Sequence, residues 1–236
     1  MKLNNGKGFE IVNKGAEAEV WIYDQIGSDW FGEGVTARGF ADQLRENAKG
    51  VKLLNVYINS PGGSVWEGTA IHSTLKEHGA KVAVRIDGVA ASIASIIAMA
   101  GNTISIAPAA MMMIHNPMAG VMGGAKDMRE TADLLDKVRG QLIDTYARRT
   151  KGNPKAIGEQ MDAETWFTGQ EAVDAGYADS LTQQDLKVAA WADLGKRFRK
   201  APTASQDAMA DKVKTQLEKW IAENRAYLAS VGKDWK

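Results

Sequence analysis

The chain has 236 residues, 44% of them hydrophobic and 25% charged, an average globular composition with enough apolar material for a sizeable core. Its 29 basic and 29 acidic residues cancel, so no overall field draws it to nucleic acid or to an anionic membrane, and neither is expected as a partner. Cysteine is absent, which excludes disulfides, thiol nucleophiles and thiolate metal sites, and no apolar stretch reaches signal-peptide or membrane-span length, so a soluble, cytoplasmic protein is expected.

In chain order, FEIV and EVWIYDQI between residues 9 and 26 are rich in β-branched and aromatic residues and read as strands. VTARGFADQLRENA spaces Phe40, Leu44 and Ala48 four apart behind Thr36, an N-cap, and reads as an amphipathic helix. LLNVYINS is a buried strand, and SVWEGTAIHSTLKEHG is a helix capped by Ser64 and stopped by Gly79. KVAVRI is the next strand, followed by an Asp-Gly turn signal and then by ASIASIIAMAG, a helix apolar on all sides and therefore buried.

TISIA and AMMMIH read as short strands, and a long helix follows over 125–150 with Met128, Leu135, Val138, Leu142 and Tyr146 on one face. NPKAIGEQM and GQEAVDAG are two shorter helices. Strands alternating with helices at this spacing predict an α/β fold with a mostly parallel sheet. Residues 1–182 form the expected main domain, 183–205 a linker containing KRFRKAPTAS, and 206–236 a C-terminal helical extension with Met209, Val213, Leu217, Trp220 and Leu228 at helical spacing.

Ser92, in IDGVAASIAS, is a polar residue in a core-like segment. It falls at the start of the buried helix, where unpaired N–H groups and the helix dipole favour developing negative charge, and Ala90, Ala91 and Ala94 leave room around its hydroxyl. Taken alone it reads as a helix cap rather than as a nucleophile. NSPGGSV ends a buried strand: Pro61 fixes one torsion, while Gly62 and Gly63 admit positive φ and bare backbone amides. Of the three histidines, His72 and His78 lie in the helix after SPGG and read as structural. His115 ends an apolar strand before an Asn-Pro turn and is the available general base. A serine–histidine pair needs a third group to orient the imidazole, and MDAETWFTGQEA offers Asp162 and Glu164.

The order NSPGG, GVAAS, MMMIHNP, ETWFTGQEAVDAGYAD over residues 19–182 resembles ClpP, the proteolytic subunit of the Clp protease. The wording GVAASIAS, AMMMIHNP and ETWFT is most similar to the ClpP-like head maturation (prohead) proteases of tailed phages. The resemblance implies a ClpP/crotonase-like repeated ββα superhelix with a long handle helix. It implies a serine endopeptidase with Ser92 as nucleophile, His115 as base, and the amides of Gly63 and Ile93 as oxyanion hole, without metal or cofactor. The third member, usually aspartate in the family, falls on Glu164, with Asp162 as competitor.

It further implies a homo-oligomeric ring, heptamer or tetradecamer, stacked through the helix at 125–150. The phage likeness implies capsid and scaffold proteins as substrates, cleaved in the host cytoplasm or inside the prohead. MKLNNGKGFEIVNKG does not resemble the family's usual N-terminal docking segment, which argues against an ATP-driven unfoldase partner. Rival readings are an acyl-CoA-binding crotonase-like protein, which leaves Ser92 and His115 unused, a Ser–Lys peptidase, and a ring without catalysis.

Overall fold

Three neighbouring strands bury alternate residues on one face: Ala18, Val20 and Ile22 in β2 (Glu17–Ile22), Leu54, Val56 and Ile58 in β3 (Leu53–Ser60), and Val82, Val84 and Ile86 in β4 (Lys81–Ala91). This period-2 pattern pins the register, since a one-residue slip would turn every apolar side chain outward. Phe40 and Leu44 of α1 (Ala37–Asn47) and Ile71 and Leu75 of α2 (Val65–Glu77) join the same core. Burying each such side chain contributes roughly 1.5–3 kcal/mol. Thr36 and Ser64 cap the two helices as expected, accepting hydrogen bonds from the amides of Gly39 and Glu67, and Gly79, at φ +81°, follows the end of α2.

The computed structural model describes residues 8–28, 34–183 and 198–200. The chain divides into compact units 1–191 and 192–236. The linker expected over 183–205 and the helical extension expected over 206–236 lie outside the described residues, apart from 183 and 198–200.

Among the described residues the sheet has eight strands, and it is mostly parallel, as expected. Its order is β1 (Phe9–Asn13), β2, β3, β4, β5 (Thr103–Ile106) and a short β8 (Ser180–Leu181), with only β1 antiparallel to its neighbour along this path. On the edge away from β3, the eleven-residue β4 serves two partners. Its first half pairs with β5, and Val89–Ala91 pair with β6 (Met111–Ile114), which in turn carries β7 (Thr165–Thr168) antiparallel. Neither β7 nor β8 was expected from the sequence.

Two expectations about this region need correction. The Asp-Gly pair at 87–88 is not a turn: β4 continues through it with a shift of register against β3 between Ile58 and Ser60. The Asp87 side chain explains why, because it is buried, accepts from the Tyr23 hydroxyl and from Arg85 Nε at 2.6 Å, and so is satisfied inside the sheet. Consequently α3 spans only Ile93–Ala98, and Ser92 precedes its first turn rather than lying within it.

α4 occupies Ala125–Thr150, and α5 (Pro154–Asp162) and α6 (Gly169–Asp174) follow where expected. Val138, Leu142 and Tyr146 of α4 are buried and Leu135 is half-buried, but Met128 is exposed, contrary to the shared face read from the sequence. The reason is geometric: residues 118–130 are exposed throughout, so the first turns of α4 stand away from the core that its second half covers.

Candidate active site

β4 ends at Ala91, and Ser92 makes the turn into α3 with φ 57° and ψ −128°. A β-carbon in this region is strained by about 1–3 kcal/mol, so the surrounding structure must hold it. It does so through Ser92 N, which donates to Met113 O at 2.9 Å, and Ser92 O, which accepts from Ser95 N at 3.0 Å. Ile93, the first helical residue, has no intrahelical acceptor for its amide. Its side chain is locked over α2, where a β-carbon on Gly68 would come within 2.3 Å of Ile93 Cγ1.

The SPGG turn lies directly against this segment. A β-carbon on Gly62, at φ +84°, would sit 2.5 Å from Ala91 O and 2.8 Å from Ser92 Cβ. Gly63, at φ +152°, is pressed as closely against the backbone of Ile26. Ile26 N donates to Gly62 O at 3.0 Å and Ser64 N donates to Ile26 O at 2.8 Å, so the loop after β2 clamps the turn from its other side. Gly62→Ala is expected to destabilise the fold by about 2 kcal/mol or more, combining positive φ with overpacking. A lower urea midpoint at unchanged slope would register it.

His115 follows the last residue of β6, and parallel pairing of Ala91 with Met113 brings it beside Ser92. His115 Nε2 lies 2.7 Å from Ser92 Oγ. The two candidate carboxylates lie on the other side of β6. Antiparallel pairing of Ile114 with Thr165 sets the next position, Glu164, opposite His115, and places Asp162 two residues further along. Glu164 is 7% exposed, adopts φ 49°, and has a carboxylate oxygen 3.4 Å from Trp166 Nε1, which donates to it. Asp162 turns the other way: its side chain is 56% exposed and accepts from Asn116 Nδ2 and Arg139 Nη2, both at 2.9 Å. These two bonds, with the Arg139 charge, hold the Asp162 carboxyl below its usual range.

Burial pushes the His115 pKa down, and the Glu164 charge pulls it part of the way back. The two other histidines are elsewhere. His72, half-buried on α2, is lowered to about 4 by burial with help from Lys76 and Arg148, and His78 is the C-cap of the same helix. The sequence reading missed three contributors. Ile26 clamps SPGG, and the indole of Trp166 meets Glu164; neither EVWIYDQI nor TWFT carries a signal for its contact. Ser95, three residues after Ser92, donates from its hydroxyl to Ser92 O at 2.5 Å. Among the described residues no group of three or more His, Asp or Glu side chains could hold a metal ion, and no helix is long and apolar enough to cross a membrane.

A parallel sheet with a serine at the carboxyl end of one strand and a histidine at the end of the next puts this molecule among the α/β proteins that gather polar groups at strand ends. Residues 19–185 match the family model for Clp protease, and the chain belongs to that family. It is 36% identical over 132 residues to the ATP-dependent Clp protease proteolytic subunit of Bacteroides fragilis, an alignment covering 55% of this chain and 64% of that protein. Subunit 2 from Tropheryma whipplei is 30% identical over 181 residues, covering 70% of this chain and 98% of that protein. The chain thus spans under two thirds of its Bacteroides relatives and nearly all of the Tropheryma one. In fold it is similar to an asparagine-to-aspartate mutant of ClpP1 from Listeria monocytogenes, with TM-score 0.62, 24% identity, and coverage of 70% of this chain and 91% of that one.

Proposed function

We propose that the chain is a serine endopeptidase that hydrolyses peptide bonds through an acyl-enzyme. The observation that carries this reading is the 2.7 Å contact between Ser92 Oγ and His115 Nε2. In the mechanism, His115 takes the Ser92 proton as Oγ attacks the scissile carbonyl, and the amides of Gly63 and Ile93 receive the oxyanion. His115 then protonates the leaving amine, and water completes the cycle by the same route in reverse. Glu164 orients the imidazole and stabilises the imidazolium, a role that its burial and its place opposite His115 support. Membership of the Clp protease family supports the reaction class.

A fluorophosphonate probe tests it directly. Wild-type protein should be labelled on Ser92 and His115→Ala should not; an assembled wild type that stays unlabelled would sink the reading. The pH profile adds a second test. The neutral imidazole is the base, so activity rises with pH through the His115 pKa. Because burial lowers that pKa, the acid limb of kcat/KM should have its midpoint below 6.5. Glu164→Gln removes the charge that favours the imidazolium, so the residual activity should titrate at still lower pH.

The natural substrates we assign are capsid and scaffold proteins of an assembling phage head, in the host cytoplasm or prohead, from the GVAASIAS, AMMMIHNP and ETWFT wording. Co-expression with such proteins, wild type against Ser92→Ala, followed by intact-mass analysis, reports substrate and cleavage site together. A homo-oligomeric ring joined through α4 fits the exposure of Met118, Val121, Met122, Met128 and Leu134, an apolar set that a lone subunit leaves in water.

A further inference from the structure

The Ser92–Ile93 peptide group is the one whose N–H the mechanism above aims at the oxyanion, and its carbonyl is unusually well held. Ser92 O accepts from Ser95 N at 3.0 Å and from Ser95 Oγ at 2.5 Å. Ser95 Oγ in turn lies 2.7 Å from the hydroxyl of Tyr146. Since the single Ser95 hydroxyl proton goes to Ser92 O, the Tyr146 hydroxyl must be the donor to Ser95 Oγ, and the chain of donation runs one way: Tyr146, Ser95, Ser92 O.

A helical serine often bonds the carbonyl three residues back, and that alone would signify little. Here Ser95 is fully buried among isoleucines and alanines, and its acceptor side is filled from another element, the buried second half of α4. The Tyr146 ring is fixed edge-on against Tyr177, with centroids 5.6 Å apart. Tyr177 packs 5.0 Å from Phe167 of β7 and donates to Gln160 at 2.7 Å. The far end of the chain is therefore anchored on the same strand whose start carries Glu164.

We propose that Ser95 and Tyr146 are positioning residues for the oxyanion-binding Ser92–Ile93 peptide. In a trans peptide the C=O and N–H point in opposite directions, so pinning the oxygen inward directs the Ile93 N–H outward. Donation to the oxygen also polarises the amide, and bonds in such a chain strengthen one another, making the Ile93 N–H a stronger donor as the oxyanion forms. This inference rests on the serine-peptidase reading.

The test is steady-state cleavage of a fluorogenic peptide by Ser95→Ala, Tyr146→Phe and the double variant, alongside a peptide boronate. Ser92 Oγ adds to the boron of this inhibitor, its proton passing to His115, to leave a tetrahedral anion in the oxyanion position. Losing a whole oxyanion donor costs about 10²–10³ in kcat, so weakening one should cost about tenfold in Ser95→Ala and about threefold in Tyr146→Phe. KM should hold, boronate affinity should fall by the same factors, and the double variant should match Ser95→Ala because the bonds act in series. Wild-type kcat and boronate affinity in both single variants would overturn the proposal, as would losses that merely follow the folded fraction. If Ser95→Ala does not fold, Tyr146→Phe decides by the same criteria, since it keeps the ring and removes one oxygen. Peptidase turnover within tenfold of wild type in Ser92→Ala would overturn the serine-peptidase reading and this inference together. A Ser92→Ala that loses activity as expected, with Ser95→Ala and Tyr146→Phe both unaffected, would overturn this inference alone.

Discussion

Ser92→Ala should lower peptidase turnover by about 10⁶-fold while leaving the fold intact. The size follows from the unit that the residue belongs to: in a serine–histidine mechanism, loss of either partner removes the covalent route, and what survives comes from binding and the oxyanion amides alone. His115→Ala should therefore cost nearly as much, and the double variant hardly more. The fold should tolerate the change at 92 because the side chain's contact is the 2.7 Å bond to His115, and the backbone bonds that hold the turn, from Met113 O and Ser95 N, do not involve the hydroxyl. Turnover measured with protein of wild-type unfolding midpoint checks this, and a loss of less than tenfold would assign the nucleophile elsewhere.

Glu164→Gln should cost roughly 10⁴-fold in kcat, against little change in Asp162→Asn. The difference comes from where the two carboxylates point. Glu164 is buried, opposite His115 in the β6–β7 register, and its charge acts on the imidazole. The Asp162 carboxylate is spent on Asn116 and Arg139 at the surface, where such contacts contribute about 0–1 kcal/mol. A larger loss in Asp162→Asn would reverse the assignment. Glutamate carries one methylene more than the aspartate common at this place in the family. The left-handed backbone of Glu164, at φ 49°, and the Trp166 indole on its carboxylate are the local features that accompany the longer side chain.

Much of the scaffold was readable from local chemistry. Thr36 and Ser64 announced helix starts because a side-chain oxygen at an N-cap meets an amide three residues on, and strands such as FEIV and EVWIYDQI followed from their β-branched and aromatic residues. What escaped was set by long-range pairing. TWFT is too short to declare itself a strand, yet its register against β6 is what sets Glu164, two residues from Asp162, opposite His115. The Asp87–Gly88 pair misled because its turn chemistry is cancelled by Arg85, two residues back on the same strand, and by Tyr23, which only the folded sheet brings to it. The nearness of Ser92 to His115 was suggested by motif order, whereas the hydroxyl of Ser95 meets a partner on α4, 51 residues away, that no local pattern announces.

The left-handed turn at residue 92 also marks a trade-off between durability and chemistry. Glycine occupies that backbone region without a steric penalty, so a variant library screened for heat resistance alone should enrich Ser92→Gly. A screen that also demands cleavage should reject it, leaving the most strained residue of the site as the one that stabilising evolution cannot touch.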